Sequence, residues 1–167
     1  MRLILTAAVL AAALAGCSKS DTTKQAEGSQ AASSEQPAAA PAASPEEKLK
    51  LLAALPAPYN TADLANGEAK FGLCRSCHTI APGGANMTGP NLHGVFGRKA
   101  ASVEGFKYSE ALKGSTIVWD GAHLDEWLEK PQTYLPGTKM AFAGVKDAKD
   151  RTDLIAYLMV ETGHKPQ

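Results

Sequence analysis

Sulfur is scarce in this chain of 167 residues: it holds three cysteines, Cys17, Cys74 and Cys77. Cys74 and Cys77 form a single CxxC and no second one exists, so the usual four-cysteine zinc site is excluded. No strand pattern surrounds that CxxC, which removes the βαβ setting of a thioredoxin-like redox pair. A disulfide between residues so close would close a tiny loop and stabilise little. Net charge is missing as well: 17 basic residues balance 17 acidic ones, and such a chain has no electrostatic claim on nucleic acid. Aromatics are 6% of the chain. The longest apolar run, Leu3 to Ala15, is too short to span a bilayer as a helix. There is no internal repeat.

What is present divides sharply along the chain. The short apolar run follows Arg2 and ends in the small residues Ala15 and Gly16, which is the pattern of an export signal over 1–16. Leu14-Ala15-Gly16-Cys17 resembles a bacterial lipobox, which implies that Cys17 becomes the lipidated first residue of the mature protein. Each buried CH₂ adds roughly 0.8 kcal/mol, so two or more acyl chains anchor firmly. Ordinary signal cleavage is the alternative, and it leaves Cys17 a free thiol. Residues 17–45 are mostly Ser, Ala, Pro, Gln, Lys and Glu, with no apolar period, and are expected to form a disordered tether. As a random coil, roughly 40 residues reach about 35 Å. Residues 46–59 form a short helix and linker, with Ser44 as cap, Pro45 at the first helical position and Glu47 completing a capping box. Its Leu49, Leu52 and Leu55 either pack on the following domain or do nothing specific. That domain covers 60–164, and 165–167 form a tail.

With export in place, Cys74-Arg75-Ser76-Cys77-His78 reads as a c-type haem attachment site. Two thioethers hold the vinyl edge of a porphyrin, and the residue after the second cysteine turns its imidazole under the iron. The candidates for the sixth ligand are Met87, Met140, Met159 and the other histidines. Met87 follows His78 closely, in a Gly/Pro-rich loop on the same side of the ring. Met159 falls in an apolar helical stripe, where methionine is usually core. Met140, in LPGTKMAFAG, is far enough along the chain to reach the opposite face. The alternative for Met140 is a loop residue packed on the core. Thioether ligation favours Fe(II) and closes the iron to oxygen and peroxide. His93, His123 and His164 are expected to be a hydrogen-bonding surface residue, a helix-start residue and a tail residue.

The segments GEAKF, CRSCH, TGPNLHGVFGRK, GFKYSEALKG, Trp119, YLPGTKMAFAG and RTDLIAYL occur in the order and spacing of class I cytochrome c. Residues from about Asn66 to Gly163 resemble its mitochondrial and bacterial c2 type. The resemblance implies an all-α class I cytochrome c fold, helices and long loops wrapped around one covalent haem c. It implies Cys74 and Cys77 as thioether positions and His78 and Met140 as axial ligands. The Pro90 carbonyl accepts a hydrogen bond from the far nitrogen of His78. By the same resemblance Arg98, Tyr108 and Trp119 would hold one buried propionate, and Thr138 would serve the other propionate or a buried water. Phe142 shields the haem beside Met140. Trp127 and Leu112 depart from the mitochondrial pattern, where a tyrosine and an asparagine stand.

The coarse reading places a first helix at about 62–74, with Leu64, Gly67 and Phe71 on one face and a close crossing at Gly67. A second helix begins after Asp147 with Leu154, Tyr157 and Leu158 on one face, and a third runs over 123–130, stopped by Pro131. The implied function is a monomeric, non-enzymatic one-electron carrier. It would be lipid-anchored on the periplasmic side of the cytoplasmic membrane and shuttle between a quinol-oxidising complex and a terminal oxidase. The competing class is a haem peroxidase or ligand-sensing domain with a displaceable methionine. Residues 60–167 hold 12 Lys/Arg and 12 Asp/Glu, unlike strongly basic mitochondrial members. Lys139, Arg75 and Lys99 are candidates to face the haem edge.

Overall fold

A computed structural model describes residues 43–165. The export signal, Cys17, nearly all of the tether and the last two residues lie outside them. The described chain is helical: α1 (Pro45–Ala53), a 3-10 turn (Tyr59–Thr61), α2 (Leu64–Phe71), α3 (Glu110–Lys113), α4 (Gly121–Glu129), α5 (Pro131–Tyr134) and α6 (Ala148–Glu161). Among the described residues there is no strand, only an isolated bridge between Lys99 and Val118. None of the helices is long and apolar enough to cross a membrane.

Side-chain caps start most of these helices. Ser44 Oγ accepts from the Glu47 N–H while Glu47 reaches back to the Ser44 N–H at 2.7 Å, a complete capping box for α1. Asp63, Ser109, Asp120 and Asp147 accept first-turn N–H groups of α2, α3, α4 and α6. α4 starts at Gly121, two residues before the expected His123, because Asp120 is the cap. It stops at Glu129 because Lys130, the residue before Pro131, is driven out of the helical region. Pro131 then opens α5, so it starts one helix as well as ending another.

α6 is the spine of the core, with Leu154, Ile155 and Ala156 fully buried and Met159 also buried. α2 crosses it in the most extensive helix contact of the molecule. The crossing depends on Gly67. A Cβ there would overlap the Asp153 carbonyl oxygen and stand 2.7 Å from Tyr157 Cβ, so only glycine lets the backbones approach. Phe71 stacks on Tyr157 at 5.7 Å one turn later. α2 is shorter than the expected 62–74. After Gly72, hydrogen bonds slip to the tighter pattern of Leu73 N–H on Lys70 and Cys74 N–H on Phe71, and the chain leaves as a series of turns.

α1 and the segment after it join this core. Leu52 and Leu55 are buried in it, Tyr59 packs against it, and Lys48 pairs with Glu161 of α6 at 2.6 Å; Leu49 points away, 61% exposed.

Asp153 fastens α2 to α6. Its carboxylate is 1% exposed and accepts from the Asp63 N–H (3.0 Å), Asn66 Nδ2 (2.7 Å) and Lys149 Nζ (2.5 Å). Burial pushes this carboxyl up, but the bonds from Lys149, Asn66 and Asp63 outweigh it, and its pKa falls below the ordinary 3.8. A lowered folded-state pKa gives stability that is present above the ordinary value and lost as pH falls through the folded one. Asp153→Asn is therefore expected to destabilise the haem-loaded protein at neutral pH by about 1–3 kcal/mol and to flatten the fall in stability below about pH 4. Denaturant titrations across that range check both effects.

Candidate functional site

The attachment segment follows α2 as two linked turns, in which the Cys77 and His78 N–H groups both donate to the Cys74 carbonyl at 3.0 Å. The turns bring both thiols and the imidazole to a half-buried position. Neither thiol is in a disulfide. Burial, with a smaller push from Cys77, raises the Cys74 thiol to about 11. A redox CxxC works through a thiol of lowered pKa, and burial pushes the Cys74 thiol the other way.

His78 is held in one orientation. Its Nδ1 donates to the Pro90 carbonyl at 2.8 Å, and since a carbonyl only accepts, the proton is on Nδ1. Burial lowers the His78 pKa and keeps the ring neutral, against a smaller opposing effect of the Pro90 bond. The Nε2 lone pair is thereby left for a metal. Gly89 permits this arrangement, because a Cβ there would overlap the imidazole, 2.6 Å from Nδ1. The Gly89 N–H donates to the Cys77 carbonyl at 2.9 Å, closing the loop onto the turn that bears the second cysteine.

Arg98 is half-buried. Its guanidinium donates to the carbonyls of His93 (3.0 Å) and Asn91 (3.1 Å), and among the described residues no carboxylate pairs with it. Burial lowers its pKa, yet a guanidinium stays charged. Tyr108 is buried within electrostatic reach of Arg98, and burial raises its phenol. Trp119 is also buried, edge-on to Trp127 at 5.3 Å, and Trp127 meets Tyr134 edge-on at 6.0 Å. Trp127 is thus part of an aromatic stack, and Leu112 is a half-buried apolar neighbour of the core.

The segment bearing Met140 is fastened by side chains that sequence reasoning missed. Gln132 Nε2 donates to the carbonyls of both Thr138 and Met140, each at 3.0 Å. Lys139 Nζ donates to the Tyr108 and Lys107 carbonyls at 3.2 and 3.4 Å, tying this segment to the one before α3. Thr138, buried, accepts the Met140 N–H on its hydroxyl at 3.3 Å. Met140 and Phe142 are half-buried against the core. No local pattern could have revealed Gln132, since its role requires the chain to return beside α5. Lys139 therefore has its ammonium on carbonyls, and Lys99 and Arg75 remain exposed. Met87 is 48% exposed. His93 is half-buried with its Nδ1 enclosed and unpartnered among the described residues. His123 bonds its own cap, Asp120, at 2.7 Å, and His164 packs on Phe96 at 5.2 Å.

The residues present fit a covalently attached porphyrin. Two half-buried thiols precede a neutral imidazole with a free lone pair. A partly buried cation lacks an anion, and half-buried apolar side chains (Leu92, Leu112, Leu135, Met140, Phe142) stand beside the core. Among the described residues no three His, Cys, Asp or Glu side chains converge on a metal position, so the donor set is not that of a zinc centre. Helical fold and donor set together define a c-type haem protein.

Comparisons with known proteins agree. The sequence profile of the family "Cytochrome c" matches residues 64–160. A cytochrome c of Gibberella zeae is 50% identical over 105 residues, 59% of this chain and 99% of that protein. Cytochrome c2 of Blastochloris viridis is 48% identical over 110 residues, 66% of this chain and 87% of that protein. The solved structure of cytochrome cH from Methylobacterium extorquens superposes with a TM-score of 0.55 at 45% identity, covering 58% of this chain and 97% of that one. The chain belongs to the cytochrome c family, with the class I fold, and its cofactor is one covalent haem c.

Removing the double bridge to the Met140 segment tests its role directly. Gln132 is exposed, so its two bonds together contribute about 1 kcal/mol. Gln132→Ala is expected to speed amide hydrogen exchange at Thr138 and Met140 about fivefold while leaving α6 unchanged, as read by NMR on the haem-loaded protein.

Proposed function

We propose that this chain is a membrane-tethered one-electron carrier in which His78 and Met140 are the axial ligands of the haem. Homologues that are cytochromes c support the carrier class. The observation that supports His78 as a ligand is the bond from its Nδ1 to the Pro90 carbonyl, which leaves Nε2 with its lone pair free; Met140 is proposed from the resemblance to the family and from the restraints on its segment. When bound, the haem supplies the Fe(II)/Fe(III) couple.

The protein's own part is to hold and to exclude. Cys74 and Cys77 would hold the vinyl edge, and Arg98, with Tyr108 and Trp119, would face a propionate. The Pro90 carbonyl fixes the imidazole and strengthens it as a donor. Gln132, Thr138 and Lys139 restrain the segment that presents the Met140 thioether. A soft neutral sulfur favours the reduced metal and raises the potential. A peroxidase or ligand sensor needs that sulfur to leave, and the three restraints oppose this. Apolar Leu112, Leu135 and Phe142, half-buried against the core, would help keep water from the bound haem.

Export and lipidation at Cys17 would put the carrier on the periplasmic side of the cytoplasmic membrane. There the electron donor is a quinol-oxidising complex and the acceptor a terminal oxidase. An anchored carrier reaches both by moving in two dimensions. Two variants test the proposal. Met140→Ala is expected to abolish the far-red methionine–iron absorption band and leave the covalent haem spectrum in place; an unchanged band would exclude Met140. Cys17→Ser is expected to move the protein from the membrane fraction to the soluble periplasm and to slow oxidase reduction in isolated membranes. Unaltered fractionation would exclude the anchor.

A further inference from the structure

The segment from α1 to Asp63 lies ahead of the span matched by the family, 64–160, yet it is built into the fold as a strap. Leu52 and Leu55 are buried in the core that also holds Trp119 and Met159. The chain then tightens around Tyr59, whose N–H donates to the Pro56 carbonyl (2.9 Å) and whose carbonyl accepts the Ala62 N–H (3.1 Å). One end of the strap is held by the Lys48–Glu161 pair at 2.6 Å. The other is held by the Asp63 N–H on the Asp153 carboxylate at 3.0 Å. Tyr59 is thus fixed from both sides.

The Tyr59 ring rests on the first residue of α4. A Cβ on Gly121 would overlap the Tyr59 hydroxyl and stand 2.7 Å from Cζ and 2.8 Å from Cε2. The φ of Gly121 is not positive, so what forbids a side chain there is the ring and not the backbone. Burial, then Asp125 and Asp120, raise the phenol and keep it neutral, so the contact is one of packing. Between Gly121 and Trp119 stands only Asp120, the cap of α4. The Trp119 N–H donates to the Arg98 carbonyl at 2.9 Å, and the Trp119 carbonyl accepts the Gly97 N–H at 2.7 Å. Arg98 and Trp119 are therefore paired backbone to backbone, and Tyr59 bears on the chain two residues from that pairing. Tyr59, Gly97, Trp119 and Gly121 line one open cleft.

We propose that Tyr59 is a positioning residue for the haem site: seated on Gly121, it holds Trp119 and, through the backbone pairing, Arg98 where they would meet a propionate. The inference rests on the electron-carrier reading and deepens it, because it gives the strap a part in setting the potential. With the ring gone, the segment from Ile117 to Asp120 loses a support on its cleft side. Trp119 then moves more freely, water enters the cleft, and the Arg98 guanidinium is less closely placed against the anion. A poorly compensated anion and a wetter surrounding both favour Fe(III), so the potential falls.

Two readouts on the haem-loaded full chain test this: the equilibrium constant against a reference redox couple, and amide hydrogen exchange at Gly97 and Trp119. Tyr59→Ala is expected to shift the constant about threefold toward Fe(III) and to speed exchange at both amides about fivefold, with Ile155 of α6 unchanged. Gly121→Ala, which expels the ring without altering it, is expected to do the same. The double variant is expected to shift the constant about threefold and not about ninefold, since both changes act on one contact. Tyr59→Phe keeps the ring on Gly121, and Leu49→Ala changes an exposed residue of the same strap; each is expected to stay within about 1.5-fold of the native constant. An unmoved potential in Tyr59→Ala, whatever its exchange rates, would overturn the proposal. So would shifts that multiply in the double variant, or a shift in Tyr59→Phe or Leu49→Ala as large as that of Tyr59→Ala. The native absorption spectrum separates the two levels of the claim. Without its haem and methionine bands the carrier reading fails, while intact bands with an unmoved potential sink only the role of Tyr59.

Discussion

A single hydrogen bond, from His78 Nδ1 to the Pro90 carbonyl, sets the chemistry of the centre. It decides the tautomer of a neutral imidazole, and with it which nitrogen is offered to a metal. The surrounding loop is built to keep that carbonyl in place. Gly89 lies against the ring where any side chain would collide. Asn91 Nδ2 binds Thr79 Oγ1 at 2.6 Å and the Ala81 carbonyl at 3.0 Å, while its own N–H is taken by Asn86 Oδ1 at 2.9 Å. Arg98 binds the carbonyls that follow. A segment with no regular secondary structure is thus made stiff by side chains that satisfy its backbone.

The helices position the two segments that carry the candidate ligands. α2 delivers the cysteines, and its position is set where Gly67 lets it touch α6 and where Asp153 takes up the donors of Asp63 and Asn66. α4 and α5 deliver Gln132 and the aromatic stack of Trp127 and Tyr134 to the segment bearing Met140. Between these supports stand side chains that are half-buried against the core, such as Leu92, Leu112 and Phe142. A porphyrin bound against them would complete their apolar burial, and cofactor and core would then be one energetic unit.

Sequence reasoning reaches the parts of this design that are local. The CxxCH spacing, the Ser44 capping box, the Asp147 cap and the small residue at the α2–α6 crossing follow from rules that span a few positions. The end of α2 is marked by Gly72, a helix-stop residue directly after Phe71, but the turns that follow keep helix-like bonds and blur the boundary toward Cys74. The Gln132 bridge, the Lys139 clasp and the Asp153 cluster are invisible along the chain, since each joins segments that meet only after folding. The same holds for α1. Its capping box is legible, but the burial of Leu52 and Leu55 depends on the surface α6 presents. The segment ahead of the family match at 64–160 is consequently part of the domain's core.

That extension bears on how charge is used. A freely diffusing carrier must find its partner in three dimensions, and a one-signed edge raises the encounter rate at the cost of repelling its own kind. The proposed tether changes the terms. It confines the search to a surface and raises the effective concentration without any field. A carrier so held gains little from a basic ring and is released from its drawback. The balanced charge of residues 60–167 is consistent with that release. α1 strengthens the argument mechanically. Its Lys48–Glu161 pair and buried leucines fasten α1 to the core, so a tether leading into α1 would hold the domain at a fixed point on its own surface. Orientation would then come from the attachment rather than from a field of charge.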